Sequence, residues 1–275
     1  MKILLLAATF GCAWAQTPDI GQIMSRVALN QAKSQDLRKF YVYNQKQLLK
    51  MVRGNGKVAR EEHREYAISP KERGIKKDLT RFDGTYEAHG RYTAYDKPGY
   101  SYKGIDIDGQ VLDGMSNDMT DDQESRDGIG HDLFPLTYHQ QLKYNFQFMG
   151  TETFRGRPVY RVSFVPKPHQ EEEAAWKGEA LIDTEEFQPV QVSTRLAFNI
   201  PLAVKVLLGT NIKGLGFAVT YQKFADGLWF PVSYGGEFDV RAVFFYKRVI
   251  SISLVNSDFR KMDVTSNIAY NTEDK

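Results

Sequence analysis

The feature that most constrains the fold of this chain is a two-residue alternation of apolar and polar side chains, broken by short turns. The stretch GEALIDTEEFQPVQVSTRLAF at residues 178–198 shows it clearly. One face of its second arm carries Val190, Val192, Thr194, Leu196 and Phe198. Because successive side chains of a strand point to opposite faces, this pattern predicts a hairpin in a sheet with one covered face.

The same alternation recurs along most of the chain. A helix capped by Asp19, with an apolar stripe over 20–27, is predicted to end near Gln35. A hairpin follows, with arms at 39–51 and 58–69 around a Gly-Asn-Gly turn. Both faces of its second arm are largely polar, which predicts an exposed strand or one near an edge. Further strands are predicted within 75–104, 144–165, 178–198, 217–248 and 249–260.

One helix followed by antiparallel strands with short connections predicts a mainly β (α+β) fold. Such a sheet twists and curls, so we expect an unclosed half-barrel. Its concave face needs a cover, and two segments are available. One is the N-terminal helix. The other is the segment 106–132, which is acidic, rich in glycine and interpreted as a loop or flap that acts as a lid.

The first fifteen residues have the pattern of a secretory signal peptide. Lys2 precedes an apolar run, and residues 13–15 form an A-x-A cleavage signal. We therefore expect cleavage after Ala15, export to the bacterial periplasm and a single domain over 16–275. One alternative is a membrane anchor, although the run is too short to span a bilayer. Another is lipidation of Cys12, although residues 9–11 match that signal poorly.

Composition excludes several classes of function. Cleavage after Ala15 removes Cys12, the only cysteine, and with it any disulfide, cysteine nucleophile or cysteine metal site. An exported chain without disulfides fits a bacterial envelope. The formal net charge of +2 argues against nucleic acid as a partner.

The motifs of common catalytic and metal sites are incomplete in this sequence. A zinc site from His131, His139 and a carboxylate is one alternative, and turn or surface histidines are the favoured reading. A calcium site in the acidic segment is another, and a solvated loop is favoured over it. Its ligands would be Asp113, Asp118, Asp121 and Asp122. We therefore expect a protein without catalytic residues, metal or cofactor.

Three blocks of the sequence resemble the LolA-like superfamily of bacterial envelope proteins, which includes the lipoprotein carrier LolA and the regulator RseB. The blocks are FMGTETFRGRPVYRVSFVPK, WKGEALIDTEEFQPVQVSTRLAF and VTYQKFADGLWFPVSYGGEFDVRAVFFYKR. The resemblance covers about 133–263 and implies an unclosed half-barrel with helices in its concavity. Its known members hold acyl chains there, or sense lipid or misfolded envelope protein. The acidic segment and an apolar insertion at 200–214 depart from LolA.

Two functions follow as expectations. The first is a non-catalytic envelope protein that binds lipid, or the acyl chains of lipoproteins, against apolar walls. Its ligand-binding residues would be Phe198, Leu202, Leu207, Phe217, Trp229, Phe238 and Phe244. The second is a structural or regulatory module with a filled core that binds an envelope protein. In either case the apolar stretch from Ile200 to Leu208 is a buried connector, a plug of the cavity or a contact with the membrane surface.

Overall fold

The computed structural model describes residues 18–99, 106–120, 129, 134–168, 175–198, 211–213, 216–242 and 246–262. Three helices lie within this part of the chain: α1 (Ile20–Arg38), α2 (Ile107–Thr120) and α3 (Tyr138–Gln141). The first four strands are β1 (Tyr41–Arg53), β2 (Val58–Pro70), β3 (Ile75–Ala88) and β4 (Arg91–Tyr95). The others are β5 (Tyr144–Phe154), β6 (Arg157–Pro166), β7 (Ala175–Asp183), β8 (Pro189–Phe198), β9 (Asn211–Lys213), β10 (Gly216–Ala225), β11 (Leu228–Ala242) and β12 (Tyr246–Lys261).

All twelve strands belong to one antiparallel sheet. Its order is β4-β3-β2-β1-β12-β11-β10-β8-β7-β6-β5, and the short β9 pairs with β11 beside this path. The edge strands β4 and β5 do not pair with each other, so the sheet does not close into a barrel. The predicted fold class, an unclosed antiparallel sheet with an N-terminal helix, is confirmed.

Helix α1 crosses one half of the sheet. Its N-cap is Asp19, whose carboxylate accepts a hydrogen bond from the backbone of Gly21 at 2.9 Å. Near its start the carbonyl of Met24 accepts from Gln141, beside β5. At its end Arg38 donates to the carbonyl of Trp229 in β11. Those two strands are five sheet positions apart, about 24 Å, and nineteen helical residues span about 28 Å. One helix therefore covers β5 to β11.

Helix α2 covers the other half of the sheet. Its residues contact β12, β2, β1 and β3, through hydrogen bonds to Tyr246, Arg64, Gln47 and Lys77 respectively. The sequence predicted a loop or flap over 106–132, but residues 107–120 of this segment are helical. The prediction of a cover was correct in position, and the prediction of its structure was wrong. Apart from Ile129, residues 121–132 lie outside the described part.

Buried apolar side chains form two clusters. The main cluster joins both helices to nine of the strands, and its members include Ile23, Leu49, Val111, Val192 and Leu254. The second cluster contains Tyr43, Ile68, Ile75, Leu228 and Phe230. Both lie at β1 and β2, but at different positions along these strands. Between the two clusters, β1 carries the buried polar residues Gln45 and Gln47, which belong to the candidate site.

Candidate functional site

The aromatic side chains predicted to bind a ligand lie in the main cluster wherever the structure describes them. Phe217, Trp229 and Phe238 are all buried. Phe217 lies between Phe238, at 6.3 Å between ring centroids, and Trp176, at 5.5 Å. The indole N–H of Trp229 donates to Glu186 at 3.0 Å.

The other predicted residues cannot be placed. Leu202, Leu207 and Phe244, and the stretch 200–210 as a whole, lie outside the described residues. Phe198 ends β8, but its side chain is likewise outside the described part. The structure therefore brings three of the seven predicted residues into one cluster, and the ligand-binding role of all seven stays a prediction.

A row of buried charges on β2 was not expected from the sequence. Arg60, Glu62 and Arg64 are exposed by only 2%, 1% and 3%. The polar character of β2 predicted an exposed strand or one near an edge, but β2 lies inside the sheet between β1 and β3. The prediction of exposure was wrong because the charges pair with one another: Glu62 lies between both arginines and forms an ion pair with each.

The acidic residues of the α2 segment complete this network. Asp106 forms an ion pair with Arg60, and Asp113 forms one with Arg64. The hydroxyl of Tyr95 donates to Glu62. Asp113, one ligand of the alternative calcium site, is bound to a guanidinium instead. The side chains of the other residues of that alternative, Asp118, Asp121 and Asp122, lie outside the described part.

Hydrogen bonds continue the polar network across the sheet. Ser116 of α2 donates to Gln47, Gln47 donates to Gln45, and Gln45 donates to Asn256 of β12. Asn256 donates in turn to the carbonyl of Pro231 in β11. We call this buried set the polar belt; it consists of Gln45, Gln47, Arg60, Glu62, Arg64 and Asn256.

The polar belt divides the covered face of the sheet. On β1 it lies between Leu49 of the main cluster and Tyr43 of the second cluster. Buried polar groups with partners fix the position of the elements that carry them. The belt therefore holds α2 on the sheet and interrupts the apolar surface between the two clusters.

The electrostatics of the belt agree with its burial. Burial acts to lower the pKa of Arg64, but the charges and hydrogen bonds of Glu62 and Asp113 raise it above its ordinary value. Burial raises the pKa of Tyr95, and the neighbouring Glu62 carboxylate raises it further. Arg64 thus stays a cation and Tyr95 a neutral hydrogen-bond donor at ordinary pH.

An open cleft of about 580 Å³ lies where the start of α2 meets the sheet. Its walls come from β1, β2, β3 and β12. Six charged side chains line it: Arg53, Arg60, Arg248, Glu87, Asp106 and Asp108. Ala59 and Tyr246, which belong to the main cluster, also line it. The lining of the cleft therefore combines paired charges with two residues of the main apolar cluster.

The charges of the cleft are arranged as ion pairs. Arg53 pairs with Glu87, and Arg248 pairs with Asp108 at 3.0 Å. The hydroxyl of Tyr246 donates to Asp108 at 2.7 Å. Burial raises the pKa of Tyr246, and the charge of Asp108 adds to the effect. No local sequence pattern indicates this cleft, because its lining residues come from five separate segments.

The structure describes three of the five histidines. His63 and His139 are exposed, and His89 lines the cleft beside charges already paired. His131 and His169 lie outside the described residues, so the alternative of a zinc site is untested. Over the described ranges, no three histidine, cysteine, aspartate or glutamate side chains form a group that could hold a metal ion. None of the helices described is long and apolar enough to cross a membrane.

Comparison with known proteins gave matches among solved structures. No protein-family model and no curated protein matches the chain. A DUF1329 family protein from Desulfovibrio piger ATCC 29098 is 13% identical, with 92% of this chain and 97% of that chain covered and a TM-score of 0.37. A domain of an outer membrane lipoprotein-sorting protein from Vibrio parahaemolyticus is 10% identical, with 92% and 96% covered and a TM-score of 0.39.

A LolA superfamily protein from Nitrosomonas europaea is also similar. It is 10% identical, with 90% of this chain and 96% of that chain covered and a TM-score of 0.32. The superfamily that the sequence resembles is thus represented among these structures. With identities near 10% and TM-scores below 0.5, the similarities carry no argument about what this chain binds.

Proposed function

We propose that this chain is a non-catalytic protein of the bacterial envelope that binds lipid, or the acyl chain of a lipidated protein, between its sheet and its helices. The observation that carries the proposal is the cleft of about 580 Å³, whose lining contains six charged side chains together with Ala59 and Tyr246 of the main apolar cluster. Sites for acyl chains need apolar walls with few polar groups. A site for an amphipathic molecule also needs polar groups at one end.

The open sheet supports the same proposal. Since β4 and β5 do not pair, helices and not strands complete the enclosure of the main cluster. Displacing a helix exposes apolar surface without breaking a strand ladder. The signal-like N-terminus, read from the sequence alone, supports placement in the envelope.

The test is native mass spectrometry of the protein purified gently from a bacterial envelope, followed by lipid extraction. We expect a bound species of lipid mass that organic solvent releases. A protein that carries no lipid, and takes up neither added lipids nor acylated peptides, would contradict the proposal.

Matched variants connect a bound lipid to the main cluster. Phe238→Asp places a charge in the apolar wall, while Leu48→Asp changes an exposed side chain of β1. We expect the first to lose the bound lipid and the second to keep it. If Phe238→Asp does not fold, Phe217→Leu serves in its place, because it changes the shape of the wall without adding charge.

A second candidate function is binding of an envelope protein at the edge of the sheet. Strand β5 is an edge of eleven residues, and Glu152 is its one charged residue. Met149 on this strand is 51% exposed. A long edge with few charges can pair with a strand of another chain. A photo-crosslinker at Thr151 would capture one defined protein if this function holds, and Met149→Lys would abolish that crosslink.

A further inference from the structure

Two arginines lie side by side in the lining of the cleft. Arg53 of β1 and Arg248 of β12 are direct partners across the two antiparallel strands. Side chains of such partners lie on the same face with their Cβ atoms about 5 Å apart, and like charges in this position repel each other. Both line the cleft, and their side chains are 31% and 16% exposed.

Carboxylates from two other elements offset this repulsion. Glu87 of β3 binds Arg53 through its carboxylate and its backbone carbonyl. Asp108 of α2 binds Arg248 with both carboxylate oxygens, at 3.0 and 3.2 Å from Nε. The arginine pair therefore depends on anions that neighbouring segments supply, and an anion from a ligand can contact the same guanidinium groups.

The formal charges of the side chains that line the cleft add up to zero. The three arginines are balanced by Glu87, Asp106 and Asp108. Arg60 and Asp106 bind each other, with side chains only 2% and 9% exposed, and the Glu87 side chain is only 5% exposed. The more accessible charged groups are therefore Arg53, Arg248 and Asp108. Two guanidinium groups beside one carboxylate suit a ligand that carries an anionic group together with a cationic group. Guanidinium groups bind phosphate in a bidentate way, and carboxylates bind ammonium groups.

We propose that this cleft binds a zwitterionic head group in which a phosphate lies near an ammonium group, with the phosphate on Arg53 and Arg248 and the ammonium group on Asp108. This inference rests on the proposed function, since it assumes that the attached acyl chains enter the main cluster. The route inward passes Ala59 and Tyr246, which line the cleft and belong to that cluster.

The cleft also has an exposed apolar side chain, that of Ile107. It lines the cleft at the start of α2 and is 48% exposed. As an exposed apolar residue between Asp106 and Asp108, it could contact the first carbons of an acyl chain, which would cover this surface on binding.

The experiment measures binding of four compounds by titration calorimetry. They are dihexanoyl phosphatidylethanolamine, dihexanoyl phosphatidylglycerol, dihexanoylglycerol without phosphate, and glycerophosphoethanolamine without acyl chains. We expect phosphatidylethanolamine to bind most tightly. Arg53→Gln and Arg248→Gln should each weaken its binding by about tenfold or more, with little effect on dihexanoylglycerol.

A matched control is Arg161→Gln, because Arg161 is exposed on β6 and pairs with Glu179 outside the cleft. It should bind all four compounds like the unchanged protein. If Arg248→Gln does not fold, Arg53→Gln carries the test, since Arg53 is the more exposed of the pair.

The possible outcomes separate this inference from the proposed function. Equal affinity for the three acyl compounds, unchanged in the arginine variants, overturns the head-group site and leaves lipid binding intact. Binding of glycerophosphoethanolamine alone, lost in Arg53→Gln, supports the site and contradicts the lipid function, and makes the ligand a free phosphate compound. Binding of none of the four overturns both.

Discussion

At the scale of single residues, Glu62 is a buried carboxylate with three side-chain partners. It is 1% exposed and accepts hydrogen bonds from Tyr95, Arg60 and Arg64. Burying this many charges is costly, and the cost is offset only while every charge has its partner. Removing one partner therefore costs more than the pair contributes when intact.

We expect Glu62→Gln to lower the free energy of unfolding by about 3 kcal/mol, because it removes the negative charge between two buried arginines at nearly constant volume. Urea denaturation followed by circular dichroism measures this loss. Glu65→Gln is the control. Glu65 is on the same strand, but its side chain is 33% exposed and its ion pairs are long, at 3.9 and 3.7 Å. It should lose less than about 1 kcal/mol, and an equally small loss for Glu62→Gln would contradict the argument.

Two buried tyrosines predict a defined response to alkaline pH. Burial raises the pKa of Tyr95 and Tyr246, and the adjacent carboxylates raise it further. The folded state thus favours the neutral phenol. The resulting stabilisation is fully present below the unfolded pKa of about 10 and is lost as the pH rises above it.

In a spectrophotometric titration at 295 nm, we expect these two phenols to ionise only when the protein unfolds. Tyr246→Phe should reduce the late part of the absorbance change. Tyr92→Phe, which removes a phenol that is 62% exposed, should reduce the early part instead. If both variants reduced the change near pH 10, the phenol of Tyr246 would not be protected by the fold.

At the level of elements, the sequence predicted the positions of the strands well. It did not predict which residues pair with the polar side chains on those strands. The arms of the first hairpin, the 178–198 hairpin and the last strand were all placed within a few residues. Alternation reports which face is apolar, and this is a local property. It does not report that Arg64 on β2 meets Asp113 on α2, 49 residues later. Polar residues on β2 therefore suggested exposure, and the acidic residues of α2 suggested a loop.

The candidate site was predictable only in its apolar part. Phe217 and Phe238 are large apolar residues on strands whose side chains alternate between apolar and polar, and such residues form a core in most sheets. The arginine pair could not be inferred, because Arg53 and Arg248 become neighbours only through the pairing of β1 with β12. The alternation of side chains within β1 or within β12 does not indicate that these two strands pair with each other.

The hairpin of β7 and β8 depends on a glycine that alternation does not explain. A Cβ atom at Gly178 would lie 1.9 Å from the backbone oxygen of Ser193 on β8. Backbone cannot move aside as a side chain can, so we expect Gly178→Ala to destabilise the protein by about 3 kcal/mol in urea denaturation.

Gly54→Ala is the matched control for that substitution. A Cβ atom there would lie 3.1 Å from Cδ of Lys247, the middle of a flexible side chain. We expect a change within about 0.5 kcal/mol. A cost for Gly178→Ala as small as that of the control would show that the two strands are not held so closely together.

For the whole molecule, the sheet order joins the two ends of the described chain. β1 pairs with β12, so the β1–β4 half is attached to the β5–β11 half through the last strand. The main cluster contains residues of both helices and runs under both halves. Because the two halves share this cluster, we expect them to unfold together, and the single domain over 16–275 stays a prediction.

Calorimetry of the chain without residues 1–15 tests this cooperativity. We expect one transition, with equal calorimetric and van't Hoff enthalpies. Leu254→Ala removes a buried side chain of β12 from the main cluster and should lower the stability by about 2–5 kcal/mol while the transition stays single. Val255→Ala changes the exposed neighbour and should shift the transition little. Two transitions, with only one displaced by Leu254→Ala, would mean that the halves unfold independently and that β12 does not unite them.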